Sequence, residues 1–444
     1  MKKITAFISG ALLIFSSMAV SAQEVWSLQK CIDYALENNI VIKQQSLNTA
    51  YNQNLVNQAK SDMLPNLNAG ASNNYSFGRS LNNNNVYENV NSTGLNGYLS
   101  SNITVFNGLI LQNTVRQNQL NLQAAVQEME KTKDDIILNI AASYLEILFA
   151  DELSLISEAQ TEVTKQQIER TKKLVDAGSL ARGALLEIEA QLAREELQLV
   201  NDQNRIQLAY LNLYQLLDLP IEKSFKIEKP KLPDIKAHVT MSNSFDVFKN
   251  AIHLRPEIKA AQLRVESARQ QLKIARGYYF PTLNLGGSYN NNYFNILNSD
   301  FNQLSFREQI KSNSRYGFGL NLNIPIFNRF QISNSVSNAK LQIQDYEYRL
   351  QSARNVLRKD IEQAYMNALA SMNKYISSEK AVESMVEAFR YTEEKFNVGM
   401  INTVEYNQSK NYLTAARSEL LQARYEYIFR AKILDFYNGV PIEL

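Results

Sequence analysis

Apolar positions follow two periods along this chain. From Gly108 to Asp176 there is no proline or glycine between the ends, and Leu, Ile, Ala, Gln, Glu and Lys dominate. One unbroken helix of about 65–70 residues, roughly 100 Å long, is expected there. A second run of the same kind covers 328–397. In it Leu350, Ala353, Leu357, Ile361, Ala364, Ala368, Met372 and Tyr375 recur at three-and-four spacing. That is a coiled-coil-like seam, with polar residues on the other faces. Period two takes over elsewhere. Leu95, Gly97, Leu99, Ser101, Ile103 and Val105 alternate with Asn96, Tyr98, Ser100, Asn102 and Thr104. Leu283, Leu285, Gly287, Tyr289 and Tyr293 behave likewise, as do Tyr316, Phe318, Leu320, Leu322, Ile324 and Ile326. These are strands with one apolar face and one face of Asn, Ser, Thr and Gly. A weaker strand starts at Leu67, and 79–92 reads as an Asn-rich loop around 82–85.

The pattern occurs twice. Phe327 lies 221 residues after Phe106, Gly399 lies 221 after Gly178, and Pro441 lies 221 after Pro220; upstream, Pro281 follows Pro65 by 216. Two copies of one architecture are therefore expected. The first repeat is 23–219: a helix over 27–62, a hairpin at 66–105, a long helix at 107–176 and a return helix at 179–217. A linker at 220–245, marked by Pro220, Pro230 and Pro233, precedes the second repeat, 246–444. That repeat holds a helix over 246–278, a hairpin at 282–326, a long helix at 328–397 and a return helix at 402–437. Gly178 and Gly399 turn the long helices back, since glycine permits the positive φ of a C-cap.

Composition narrows the class. Met1-Lys2-Lys3, an apolar run to Val20 and Val20-Ser21-Ala22 read as a signal peptide over 1–22. No other stretch approaches the ~18 apolar residues of a membrane-spanning helix. The net charge of +2 gives no reason to expect nucleic acid. Cys31, the single cysteine, cannot form an intrachain disulfide, and His238 and His253 lack partners at metal-ligand spacing. No phosphate loop, Ser/His/Asp set or metal cluster is found, so no catalytic residue, no cofactor and no metal are expected. The strands of 10–12 residues are long enough to cross a bilayer at a tilt, but only a closed barrel satisfies backbone groups in lipid. Four strands cannot close alone and must be pooled with copies of the chain.

The duplicated layout, the corners Val105-Phe106-Asn107-Gly108 and Ile326-Phe327-Asn328-Arg329, and the glycine turns resemble the TolC-type outer-membrane channel-tunnel family. The run Phe396-Asn397-Val398-Gly399-Met400-Ile401-Asn402-Thr403-Val404-Glu405 is similar to that family's tunnel-tip signature. The resemblance implies a homotrimer with a shared 12-strand transmembrane β-barrel continuing into a helical barrel in the periplasm of a Gram-negative bacterium. It implies passive export of drugs, toxins or proteins, with outer-membrane lipid around the barrel. A periplasmic adaptor (membrane fusion) protein and an inner-membrane efflux or secretion pump are the implied partners. By the same resemblance, Gly178, Ser179, Leu180, Gly399, Met400 and Ile401 are adaptor-contact candidates. Glu405, Glu187 and Phe396 are gate or selectivity candidates. Gln408 stands where the family's second acidic residue is expected, the same offsets in the first repeat hold Ala184 and Glu187, and Phe396 and Ile401 replace the family's polar latch. The competing reading is a structural or adhesive periplasmic coiled coil without a conducting lumen.

Overall fold

The computed structural model describes residues 24–81, 85–220, 225–230, 243–297 and 304–443. The expected signal peptide, most of the Asn82–Asn85 tip, His238 and much of the linker lie outside these residues. The chain forms β1 (Val25–Trp26), α1 (Leu28–Asn38), α2 (Ile40–Ser61), β2 (Asn68–Ser76), β3 (Arg79–Leu81), β4 (Tyr87–Asn89), β5 (Asn91–Phe106), α3 (Ile110–Asp176) and α4 (Arg182–Leu217). There follow β6 (Lys226–Ile227), α5 (Ser244–Leu254), α6 (Pro256–Gly277), β7 (Thr282–Leu297), α7 (Phe306–Ser312), β8 (Arg315–Asn323), α8 (Gln331–Asn397) and α9 (Thr403–Tyr437). Both long helices, α3 and α8, run 67 residues without a break.

Several expected boundaries need correction. The opening helix is not continuous: it breaks at Asn39, whose backbone is extended at ψ 129° and whose side chain accepts from Val41 N at 2.9 Å, restarting the helix. The second opening helix breaks at the matching residue, Arg255, at ψ 128°. Proline at 256 forces this, because it excludes the helical region for the residue before it. The loop expected over 79–92 contains the paired strands β3 and β4. β5 has a bulge between Thr104 and Phe106, so Phe106, not Val105, carries the apolar face onward opposite Leu283. β8 ends at Asn323, leaving Ile324 and Ile326 outside it. The second hairpin also holds α7, which was not expected.

The molecule divides into two compact units. One comprises residues up to Gln44, Glu130–Arg255 and Asn355–Leu444. Its core gathers Trp26, Cys31, Ile140, Tyr144, Ile147, Leu213, Leu217, Phe225 and Tyr425. Tyr144 Oη donates to the carbonyls of Trp26 (3.2 Å) and Glu228 (2.7 Å), pinning the parallel pair β1–β6 against α3. The Trp26 and Phe225 rings stack at 4.5 Å.

The other unit, Gln45–Met129 with Pro256–Arg354, contains an antiparallel sheet in the order β2-β5-β7-β8. Its register puts Leu95, Leu99, Ile103, Leu283, Leu285, Tyr289, Tyr293, Tyr316, Phe318, Leu320 and Leu322 on one face. Asn96, Ser100, Asn102, Asn284, Ser288, Asn292 and Asn321 share the other. Over β8 the apolar face is uncovered: Tyr316 is 80% exposed and Phe318 92%. β2 and β8, nine residues each, form the two edges. Beyond β8, the edge of β7 is covered by α7. The Gln309 amide accepts from Phe294 N at 3.0 Å and donates to Phe294 O at 2.9 Å, as a neighbouring strand would. Asn313 donates to Asn292 O at 2.7 Å.

Candidate functional site: the paired helical turns

The α3–α4 and α8–α9 turns are built alike. Ser179 N donates to Leu174 O (2.8 Å) and Gly178 N to Val175 O (2.9 Å). Met400 N donates to Lys395 O (2.9 Å) and Gly399 N to Phe396 O (3.0 Å), the same pattern 221 residues on. This is the Schellman closure, in which the residue after the helix takes positive φ. Gly178 has φ 71° and Gly399 φ 76°. Each return helix then begins differently. Asn402 caps α9 by accepting from Glu405 N at 2.9 Å, and its amide donates to Glu405 Oε1 at 3.1 Å. α4 starts after Ala181 without a side-chain cap.

Ser179, Leu180, Glu187, Phe396, Gly399 and Ile401 line one cleft of about 520 Å³ between the two turns, with Arg170 and Asn397. Arg170 Nη1 donates to Asn397 Oδ1 at 2.8 Å, tying α3 to the end of α8. Met400 projects outward, 76% exposed. Glu405 does not line the cleft; its carboxylate is engaged in the cap of α9. Phe396 packs on Tyr406 at 4.6 Å between ring centres, and Phe389 lies on the same ring at 5.4 Å. So the aromatic cluster joins α8 to α9 within the second repeat, while the Arg170–Asn397 bond ties the two repeats together at the tip.

Behind the cleft lies a buried polar cluster that the sequence reasoning missed. Lys410 of α9 and Glu195 of α4 are each 7% exposed at the side chain and 3.5 Å apart. Lys410 Nζ also donates to Thr164 Oγ1 and, at 3.3 Å, to Gln160 O. Glu195 accepts from Thr164, from Gln191 Nε2 (2.9 Å) and from Gln160 Nε2 (3.1 Å). Gln191 reaches Asn411 at 3.1 Å, and Thr414 donates to Gln160. Burial pushes the Lys410 ammonium below its ordinary range, and Glu195 pulls it back up. A charge that is dehydrated yet fully bonded joins three helices in fixed register. One sequence signal pointed here: Lys410 occupies the buried seam of α9 between Tyr406 and Leu413. The cluster is set up for packing and positioning; its groups face one another and leave no open position for a substrate.

The family model for the outer membrane efflux protein matches residues 31–218 and 247–438, one block in each repeat. The chain belongs to the outer membrane efflux protein family. Members are outer-membrane efflux proteins rather than enzymes, and this efflux protein is accordingly an outer-membrane protein. Outer membrane protein TolC of Salmonella enteritidis is 24% identical over 394 residues, covering 86% of this chain and 76% of the relative. Toxin and drug export protein A of Aggregatibacter actinomycetemcomitans is 24% identical over 317 residues, covering 69% and 64%. The solved structure of the outer membrane protein VceC from Vibrio cholerae superposes with a TM-score of 0.77 at 19% identity, covering 94% of this efflux protein and 97% of VceC.

Proposed function

We propose that three copies of this chain form an export duct. In it, a 12-strand barrel in the outer membrane leads into a tunnel of helices in the periplasm. One observation carries this reading: the sheet has two bare nine-residue edges, β2 and β8, and an apolar face uncovered over β8. In lipid such edges must be paired, and joining β8 of one copy to β2 of the next does so. The stagger supports it. β2 begins opposite Ser100, which faces Ser288, whereas β8 ends opposite Thr282, six residues lower on β7. Three such steps give a shear of about 18 for 12 strands and a tilt of about 45°, inside the range of membrane barrels. The Asn- and Ser-rich face then lines a water-filled lumen, and the Leu, Phe and Tyr face meets lipid.

The relatives' names speak of toxin, drug and protease export, and the same cargo classes are proposed for this duct. Gly178, Ser179, Leu180, Gly399, Met400 and Ile401 are assigned to the contact with a periplasmic adaptor, through which an inner-membrane pump drives export. Glu187 and Phe396, inside the cleft, and Glu405, at the start of α9, are assigned to the gate. Three copies of a carboxylate near one axis favour cations over anions. The test is conductance in planar bilayers. Purified trimers should give discrete current steps, and Glu187→Ala should weaken cation preference. A water-soluble, silent species would favour the structural coiled-coil alternative. Cysteines placed at Ser179 or Met400 should crosslink to the adaptor in cells.

A further inference from the structure

α7 caps the edge of β7 and leans to the apolar side of the sheet, not the polar one. Asn291, on the apolar side of the register, donates to Ile310 O at 2.7 Å and to Ser314 Oγ at 3.0 Å. Tyr289, on the same side, contacts Ser314 at 3.2 Å. The Tyr293 and Phe306 rings meet edge-on at 5.1 Å. On the duct reading that side is turned to lipid, so α7 stands at the rim of the barrel wall on its lipid side. Its height follows from the strand. Tyr293 is ten residues along β7 from Leu283, where the apolar face starts. At ~3.3 Å per residue and ~45° tilt this is roughly 23–25 Å, the thickness of a barrel's apolar band. The strands enter α3 and α8 at the other end, so α7 stands at the outer-leaflet headgroups.

The surface that α7 shows there is mixed. Leu304 and Phe306 are half exposed, which suits the boundary of the acyl region. Arg307 and Lys311, one helical turn apart, are exposed and form no ion pair among the described residues. The neighbouring carboxylate does not neutralise them. Glu308 is held in the capping box, accepting from Ser305 N (2.9 Å) and Ser305 Oγ (2.7 Å). Two exposed cations, without an ion pair among the described residues, beside an apolar anchor at headgroup height match a phosphate-bearing lipid.

We infer that α7 is a lipid-binding element in which Arg307 and Lys311 bind the phosphates of an outer-leaflet glycolipid while Leu304 and Phe306 rest on its acyl chains. The inference rests on the duct reading. The probe is diphosphorylated lipid A, titrated into the detergent-solubilised full-length protein and followed by native mass spectrometry. Wild type should bind it about thirtyfold more tightly than Arg307→Gln/Lys311→Gln, from two cations at a charged surface. The charge-keeping Arg307→Lys/Lys311→Arg pair should bind like wild type. Dephosphorylated lipid A should bind the wild type as weakly as the double Gln variant binds the phosphorylated lipid. Equal affinity of wild type and the double Gln variant would overturn the inference. So would equal binding of the dephosphorylated lipid, or full competition by millimolar inorganic phosphate, which would mark a site for the anion alone. Bilayer currents recorded from the same preparations separate the two ideas: the double Gln variant should conduct like wild type, and silence of both would remove the duct whatever the lipid result.

Discussion

At the first strand-to-helix corner, Gly108 serves a different end from the glycines at the tips. Gly108 (φ 67°) and Leu109 (φ 64°) are matched in the second repeat by Arg329 (φ 52°) and Phe330 (φ 60°), so the corner itself tolerates side chains. What Gly108 permits is contact: a Cβ there would lie 2.3 Å from the carbonyl oxygen of Gly277. At Gly399 a Cβ would meet nothing within 4 Å, and only φ is at issue. Gly399→Ala should therefore cost about 1–2 kcal/mol, the penalty of a left-handed L-residue. Gly108→Ala should cost about 3 kcal/mol, from steric overlap added to the same penalty. Denaturant titration of the solubilised protein checks this, and equal losses would contradict it. Cys31 gives a second prediction. Burial pushes its thiol from an ordinary value of 9.0 up to about 12. A group raised in the folded state adds stability below its unfolded value and loses it as pH rises through the folded one. Stability should thus fall between about pH 9 and 12, helped by Tyr144, which burial also raises. At pH 8 a thiol reagent should label Cys31 only after unfolding. That Cys31 is a small buried apolar residue could be read from its setting in α1; that Gly108 answers a contact 169 residues away could not.

Among the elements, α3 and α8 were legible because nothing in either run breaks a helix and the seam from Leu357 to Ala368 is buried as its spacing implied. The interruptions were legible too, had the pair Arg255-Pro256 been weighed; Asn39, its counterpart, offers only an Asn that can cap. α7 was announced by Ser305 and Glu308, three apart, ahead of the buried Gln309. The Lys410–Glu195 cluster was the least readable, since its partners come from three helices distant in sequence. Lys410→Met should destabilise the protein by about 3–5 kcal/mol, because Glu195 is left charged and unpaired. Lys410→Met/Glu195→Leu should recover most of that, as apolar replacements of buried pairs do. A double-mutant cycle by thermal or denaturant unfolding decides it; simple additivity of the two losses would mean the groups do not act as a pair.

For the whole molecule, the repeat in register and the alternating strands were enough to expect strands pooled between copies. The edge lengths and the stagger were not, because they depend on pairings that only the folded sheet fixes. If β8 pairs along its full length with β2 of the next copy, Leu320 comes opposite Ala71, on the apolar side of both. Oxidation of an Ala71→Cys/Leu320→Cys variant should give covalent dimers and trimers on denaturing gels, and either single variant should give neither. Only intrachain product would show that the edges close on themselves. These two raw margins also govern how the protein is born. A lone chain at the bilayer has unmet amides along both sides and no sister to take them, so it cannot enter the lipid strand by strand. If the proposed trimer holds, three chains have to find one another first, which makes membrane entry a steep function of how many are present at once.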